Sequence, residues 1–346
     1  MNHNTPLPPA SPQPLRHLSS DVQRRVLTAA QLRSHGVSPA GASEQCRPGG
    51  PWQQLLPGVY VLHAGPPTSE ERLHAVLLYA ARDTPVAAGV PAQPDAEGSH
   101  GAMITGLAAL TLHGFTSAPA LLSLEQIDVL VPRPRRLRSA GFAHVIRTAC
   151  LPTPQQATGL PVAPVPRALA DAVSRLTDAA TVRRLLSEAV RGGHCEPTAV
   201  VRELHEAKLL SRPHVVDAVD SLLAEGRAIA ESRLYRMVRE YGLPDPVWNV
   251  DLRLPGGPHL GGLDAYWPEQ AVAVELDTRA HRQEDDALWS EYARKREHLE
   301  RLGITVVYLT PKKLRDGMEQ QATVIRTALM AAGDRDPAAY VVVLPR

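Results

Sequence analysis

Three β-prone segments follow one another closely in the last third of the chain, and they restrict its architecture more than any other feature. The segments run from Val247 to Leu254, from Leu260 to Trp267 and from Ala271 to Asp277. Turn-forming residues separate them, first Pro255-Gly256-Gly257 and then Pro268-Glu269-Gln270. Apolar, β-branched runs bounded by such turns are typical of consecutive strands. The pattern therefore predicts three strands in succession.

Helices are predicted on both sides of these strands. Before them, Gly242 and Pro244 end a run of apolar residues at helical spacing: Ala230, Leu234, Met237, Val238 and Tyr241. After them, a helix is expected from about Asp285 to Leu302, ended by Gly303, and Ile304 to Leu309 follows as a strand. The predicted order of this core is α-β-β-β-α-β.

Acidic residues interrupt the apolar pattern of the second and third segments. Strict alternation places two apolar sets on one face each: Leu263, Ala265 and Trp267, and Val272, Val274 and Leu276. If both sets face the same core, Asp264, Glu275 and Asp277 all lie on the opposite face. Carboxylates on neighbouring strands can share an ion, and Mg²⁺ prefers such oxygen ligands. The alternative is an ordinary half-solvated sheet face.

The amino-acid sequence of this region also resembles that of a known family. The stretches ESRLYRMV, GGLDAYWPEQAVAVELDTRAHR and YARKREHLERLGITVVYLT, within residues 228–310, resemble the short-patch-repair-like endonuclease branch of the PD-(D/E)XK superfamily. The resemblance implies a restriction-endonuclease-like fold that hydrolyses DNA phosphodiester bonds with Mg²⁺, or with Mn²⁺ in its place. It assigns metal binding to Asp264 and Glu275.

The same resemblance implies further roles. Asp277 stands where the wider superfamily has lysine, His281 would act as general acid or base, and Glu231 would support the metal site through water. Arg294 and Arg296 match a cationic helix that faces the phosphate, and Lys295 between them is a further candidate DNA contact. Lys295 is a candidate replacement for the missing strand lysine, but a solvated helix lysine is the interpretation that we favour here. The three tryptophans of the region are predicted to be core residues rather than base-stacking platforms: Trp248, Trp267 and Trp289.

Residues 21–65 are predicted to form a small winged helix-turn-helix. Helices are expected over Val22–Leu27, over Ala29–Ser34 with Thr28 as its cap, and over Ser38–Cys46 as the recognition helix. The wording LTAAQLRSHGVS and WQQLLPGVYVL resembles the N-terminal winged helix of AbiEi-type antitoxins. Pro39 and Gly41 argue against a regular recognition helix, so a small helical scaffold without DNA contact is the alternative.

Residues 66–225 are predicted to form a mixed connecting domain. Between Asp128 and Asp171 there is no acidic residue, but six arginines, among them Arg135, Arg136 and Arg138. These three are candidate DNA-phosphate contacts, with a solvated loop as the alternative. His113 is expected to be a satisfied core histidine.

Length and composition complete the sequence-based picture. The 346 residues favour several domains, with residues 226–332 as the nuclease-like domain, 1–20 as a disordered tail and 333–346 as a C-terminal strand or tail. The expected fold class is multidomain α/β and α+β. Three dispersed cysteines, Cys46, Cys150 and Cys195, argue against disulfides and zinc and favour a cytoplasmic protein. No apolar stretch long enough for a membrane span is present.

Three functions remain open at this stage. The leading hypothesis is a DNA-binding protein with an Mg²⁺-dependent endonuclease-like domain. The second is a transcriptional regulator or antitoxin of a toxin–antitoxin or phage-defence system, partnered by a cognate toxin or defence protein, whose nuclease fold has lost catalysis. Thr278, where the family usually has glycine, and the acidic run after His281 motivate it. The third is a protein–protein scaffold.

Overall fold

The chain forms a mixed α/β protein with three open sheets. The computed structural model describes residues 22, 25–81, 101–278, 286–332 and 341–345, with only the backbone for 286–292. Two compact units divide the chain: one extends to Glu188 and includes residues 207–209, and the other comprises the remainder. The finer division predicted above, at residues 65, 225 and 332, remains a prediction. In the described ranges, no helix is long and apolar enough to cross a membrane.

The first unit begins with a three-stranded antiparallel sheet of strand order β1-β3-β2 and two short helices. Its elements are β1 (Val26–Thr28), α1 (Ala29–Ser34), α2 (Pro39–Gln45), β2 (Gln53–Leu56) and β3 (Val59–Val61). The prediction of a helix over Val22–Leu27 is wrong for its last two residues, which belong to β1. Val26 and Leu27 are buried in a strand that pairs with β3, because β-branched and apolar residues suit a sheet at a core.

Local hydrogen bonds explain why both short helices form. Thr28 and Gln31 make a reciprocal capping box at the start of α1. The Ser38 hydroxyl accepts the Gly41 N–H at 3.0 Å at the start of α2. Pro39 occupies the first turn of α2, where its missing N–H costs nothing, so it does not disturb the helix.

The rest of the first unit packs helices against a five-stranded mixed sheet of strand order β6-β5-β4-β8-β7. Its strands are β4 (Met103–Thr105), β5 (Ile127–Pro132), β6 (Ala143–Thr148), β7 (Gln155–Ala157) and β8 (Leu160–Val162). Its helices are α3 (Ser69–Ala81), α4 (Gly106–Leu112), α5 (Val165–Arg175) and α6 (Ala179–Arg191), whose last residues begin the second unit. His113 is half-buried, and its Nε2 lies 2.9 Å from the Ala163 carbonyl oxygen, so the histidine is satisfied inside the protein as expected.

Glu188 of α6 caps the loop that follows α4. Its two carboxylate oxygens accept hydrogen bonds from the backbone N–H and the hydroxyl of both Thr116 and Ser117. Burial raises the pKa of Glu188, but these bonds outweigh burial and lower the pKa to about 2.

The second unit is built on a five-stranded sheet of strand order β12-β11-β10-β9-β13, in which only β11 and β12 are parallel. Its strands are β9 (Val247–Arg253), β10 (His259–Trp267), β11 (Val272–Leu276), β12 (Thr305–Leu309) and β13 (Val342–Pro345). Its helices are α7 (Pro197–Glu206), α8 (Pro213–Glu240), α9 (Asp286–Arg301), α10 (Pro311–Asp316) and α11 (Met318–Ala332). The order α8-β9-β10-β11-α9-β12 agrees with the predicted succession of elements.

Both faces of this sheet are buried, and each face packs against its own helices. One core joins Ala265, Val274 and Leu276 to apolar residues of α8 and α11. The other joins Leu263, Tyr266, Ala273 and residues of β9 to Leu299 of α9. A sheet covered on both sides leaves little room for a solvated polar face.

The side-chain alternation of β9 and β10 breaks at one position. Trp248 packs against the first core and Val250 belongs to the second, although both would share a face in a regular strand. The backbone between them takes φ +49° at Asn249, which turns the strand. Ala265 and Leu263 change cores in the same way on β10. The prediction that Leu263 shares a face with Ala265 and Trp267 is therefore wrong.

Candidate functional site

Asp264 is a buried carboxylate near the end of the β10–β11 ladder. It is only 5% exposed. Its Oδ1 accepts a hydrogen bond from Arg227 Nη2 of α8 at 2.5 Å, and its Oδ2 accepts the backbone N–H of Leu276 at 2.6 Å. Arg227 Nε also lies 2.8 Å from Glu231 Oε1, one helical turn further along α8. Asp264 is thus linked through Arg227 to the glutamate that the sequence assigns to the same site.

Glu275 is a second buried carboxylate on the neighbouring strand, 6% exposed. Its Oε2 lies 2.8 Å from Lys295 Nζ, and Lys295 Nζ also donates to the Gly262 carbonyl oxygen at 2.8 Å. The lysine side chain passes over Gly261, where φ is +118° and an added Cβ would lie 2.7 Å from Lys295 Cε. Glycine is required here by both the backbone conformation and the lysine.

Lys295 is therefore not the solvated helix lysine that we favoured from the sequence. Its side chain is 18% exposed, and its ammonium group bonds to the buried carboxylate of Glu275 within its own unit. The reason is that α9 packs across the sheet, so a lysine on its inner face reaches β10 and β11. The assignment of Lys295 to DNA contact stays a prediction, but its ammonium group is engaged inside the protein.

The two carboxylates lie at neighbouring positions of β10 and β11, and each binds a cation from a different helix. The ladder between β10 and β11 includes the pair Ala265–Val274, and Asp264 and Glu275 are the next residue on each strand. Asp264 takes its cation from α8 and Glu275 takes its cation from α9. The alternation of β10 on which the prediction of one acidic sheet face depended breaks between Leu263 and Ala265. That Asp264, Glu275 and Asp277 share a face stays a prediction.

The donor set is compatible with Mg²⁺. Mg²⁺ is commonly held by one or two carboxylates together with water and substrate phosphate, rather than by a complete protein cage. Asp264 and Glu275 supply two such carboxylates. Within the described ranges, no group of three or more His, Cys, Asp or Glu side chains could enclose an ion. The residues present thus fit a site that water and substrate would complete.

The other residues assigned from the sequence lie around this pair. Asp277 is half-buried just past β11, and its backbone N–H donates to the Leu309 carbonyl. Arg296 is exposed, lies 2.8 Å from Glu300 and sits over the Tyr308 ring. Arg294 is exposed on α9. His281 lies outside the described residues.

The tryptophans are core residues where the structure describes their side chains. Trp267 is 2% exposed and donates its indole N–H to the Pro244 carbonyl at 2.8 Å. Trp248 is half-buried and packs against the same core. Both core predictions are confirmed, and the side chain of Trp289 lies outside the described residues.

The loop between β5 and β6, in the first unit, contains arginines in two different environments. Arg135 donates from Nη1 to the Ala80 carbonyl, and its own carbonyl accepts Arg147 Nε at 3.1 Å. Arg136 and Arg138 are exposed. Arg135 therefore holds the loop against α3, while Arg136 and Arg138 are available to solvent.

A second polar cluster in the first unit was missed from the sequence. Asp171 is buried, accepts the Thr105 hydroxyl at 2.6 Å and pairs with Arg167; burial raises the pKa of Asp171, and the Arg167 hydrogen bond opposes this rise. Asp128 is also buried, and its Oδ1 lies 2.5 Å from Arg175 Nη1. Because these acids lie in the core between β4, β5 and α5 and are satisfied by internal partners, the cluster serves to join these elements.

Sequence reasoning also missed Arg227 and Gly261. The i,i+4 spacing of Arg227 and Glu231 was the available signal on α8. A scan against protein-family models finds no family that matches the chain, and a search of curated proteins finds no relative.

Proposed function

We propose that the second unit hydrolyses DNA phosphodiester bonds with Mg²⁺, or Mn²⁺ in its place, held by Asp264 and Glu275. The observation that carries this proposal is the pair of buried carboxylates at adjacent strand positions, with Lys295 fixed against one of them. Buried acids are costly unless a cation or a function compensates them. The cations here are Arg227 and Lys295, and arginine and lysine also bind phosphate groups.

The topology of the unit supports the resemblance to a PD-(D/E)XK nuclease of the short-patch-repair-like branch. A helix, an antiparallel three-stranded meander, a second helix and a parallel fourth strand follow in that order. The second and third strands of the meander carry Asp264 and Glu275, as in a restriction-endonuclease-like core. Fold alone does not establish chemistry, which depends on the side chains that the fold brings together.

Each side chain has a distinct task in such a reaction. A bound divalent ion would help to deprotonate the attacking water and would neutralise charge on the phosphate. Asp264 and Glu275 would supply its protein oxygens. Lys295 holds the Glu275 carboxylate in one orientation through its second bond to the Gly262 carbonyl. Glu231 orients Arg227, which in turn binds Asp264.

The charge balance identifies which group would move when an ion binds. Asp264 and Glu275 are already balanced by Arg227 and Lys295. The Arg227 side chain is 40% exposed and has Glu231 as a second partner, whereas Lys295 is 18% exposed and bonded on two sides. Arg227 is therefore the group that can leave Asp264 at the smaller cost, and it remains near enough to meet a phosphate.

The first unit supports DNA binding in the same proposal. Its residues 26–61 place α1 and α2 before the β2–β3 hairpin, which is the order of a winged helix-turn-helix. Exposed Arg136 and Arg138 add cationic charge in the same unit. We propose that this unit positions the substrate for the second.

The decisive experiment measures cleavage of supercoiled, linear and single-stranded DNA with Mg²⁺ or Mn²⁺. Asp264→Asn and Glu275→Gln are expected to lower the single-turnover rate by at least about 100-fold, because each removes a metal ligand. Both should also weaken Mn²⁺ binding in calorimetry. Asp251→Asn is the matched control, because Asp251 lies in the same sheet but pairs with His259. Wild-type protein that cleaves no DNA form with either metal would overturn the proposal.

A second candidate is a DNA-binding regulator or antitoxin whose nuclease fold is inactive. The observation that favours it is that Arg227 and Lys295 already neutralise both carboxylates. A cognate toxin or defence protein would then be the partner. Metal-independent, salt-dependent gel shifts without cleavage in any metal would support this candidate over the first.

A further inference from the structure

An aromatic side chain is exposed beside the candidate site. Tyr235 of α8 is 37% exposed, and its ring centroid lies 4.0 Å from that of Trp248, with 44° between the planes. Val247, which precedes Trp248 on β9, is 44% exposed. Trp248 is half-buried against the core and supports the tyrosine from below. A ring held in this way loses little freedom when another flat group stacks on it.

Two separate links connect Tyr235 to Asp264. Along α8, Arg227, Glu231 and Tyr235 follow at intervals of four residues, so they share one side of the helix. Across the sheet, Asn249 Nδ2 donates to Tyr235 Oη at 3.3 Å. Asn249 lies opposite Asp264, between the register pairs Val250–Leu263 and Trp248–Ala265.

The distances along both links suit a nucleic-acid strand. Neighbouring strands lie ~4.8 Å apart, and the eight residues from Arg227 to Tyr235 rise ~12 Å along the helix. Bases in a DNA strand are spaced by ~3.4 Å when stacked. The tyrosine is therefore about one to four nucleotides from the carboxylate that would meet the phosphate.

Cations stand on both sides of the tyrosine along α8. Arg227 precedes it by two helical turns, and exposed Arg239 follows it by one. Arg236 is exposed and lies 3.7 Å from Glu240. An aromatic platform flanked by cations is the arrangement by which proteins hold single strands, with bases on the ring and phosphates on the cations.

We propose that Tyr235 is a stacking platform for one unpaired base of single-stranded DNA, within a few nucleotides of the scissile phosphate at Asp264 and Glu275. The inference rests on the proposed function and adds its substrate class. Duplex DNA does not fit, because the faces of its bases are covered by their neighbours. A protein partner fits poorly, because the apolar patch of Tyr235 and Val247 is small and bordered by arginines.

The test uses the full chain in EDTA and measures binding of labelled oligothymidylate and of a duplex by fluorescence anisotropy. Tyr235→Ala is expected to weaken single-strand binding roughly 5- to 150-fold, the range for loss of one base-stacking aromatic, and to leave duplex binding unchanged. Tyr235→Phe keeps the ring and should bind like wild type. Val216→Ala, another exposed residue of α8, is the matched control.

Several results would overturn the inference. Equal losses on single strand and duplex would indicate a general effect, and a Phe variant as weak as the Ala variant would assign the role to the hydroxyl. Unchanged binding in Tyr235→Ala, or no single-strand binding by wild type, would refute it directly. Because the assay contains no metal, normal stacking with no cleavage refutes only the proposed function. Cleavage that depends on Asp264, with unchanged Tyr235→Ala binding, refutes only this inference.

Discussion

Replacing Lys295 by methionine tests the most specific contact of the candidate site. The substitution keeps an unbranched apolar chain over Gly261 but removes the ammonium from Glu275 and from the Gly262 carbonyl. A carboxylate that is 6% exposed then loses its cation. Removing one partner of a fully buried pair costs ~3–5 kcal/mol. Because the Lys295 side chain is 18% exposed, we expect a smaller loss, about 2–3 kcal/mol.

Hydrogen exchange of β11 and β12 peptides is the assay, because the chain has two units and a single unfolding transition is not assured. Glu275→Gln and the double variant complete a thermodynamic cycle, in which the double variant should recover part of the loss. Arg296→Met is the matched control on the same helix. Its pair with Glu300 is exposed, so no measurable change in exchange is expected. A Lys295→Met effect as small as that control would refute the reasoning.

Three further predictions concern other contacts. Gly261→Ala should destabilise the second unit by about 1–3 kcal/mol in the same exchange assay, because φ is +118° and Lys295 is in the way. The stabilising effect of Glu188, measured as the melting-temperature difference from Glu188→Gln, should be full above its unfolded pKa and should disappear as pH falls towards about 2. The double variant Arg136→Ser, Arg138→Ser should reduce the slope of log DNA affinity against log salt concentration by ~1.8, because each lost phosphate contact lowers it by ~0.9. Arg135→Ser should instead loosen the loop, which would be measured as faster hydrogen exchange of the loop.

The element order and several helix ends could be predicted because their signals are local. Thr28 caps α1, Gly36 and Gly303 take positive φ after their helices, and the three strands lie close to their predicted ranges. The hydrophobic pattern and the turn residues act over a few positions, so one sequence contains them. For the same reason, the sequence places Asp264 and Glu275 on neighbouring strands.

The cations of the site could not be predicted, because they come from distant helices. Arg227 is 37 residues from Asp264, and Lys295 is 20 residues from Glu275. Their reach depends on how α8 and α9 pack on the sheet, which no local pattern determines. Arg135 shows the same limit: from the sequence it is one arginine of a run, and only packing against α3 distinguishes it from Arg136.

The turn at Asn249 accounts for the largest difference between the expected and the observed side-chain alternation of the strands. A positive φ at asparagine is tolerated, but nothing in a two-residue period reveals it. Once the strand turns there, Trp248 faces the core of α8 and Val250 faces the core of α9. Asp264 lies opposite that turn, where the sheet passes from one helix layer to the other. Both helices can therefore supply a cation to neighbouring carboxylates, Arg227 from α8 and Lys295 from α9.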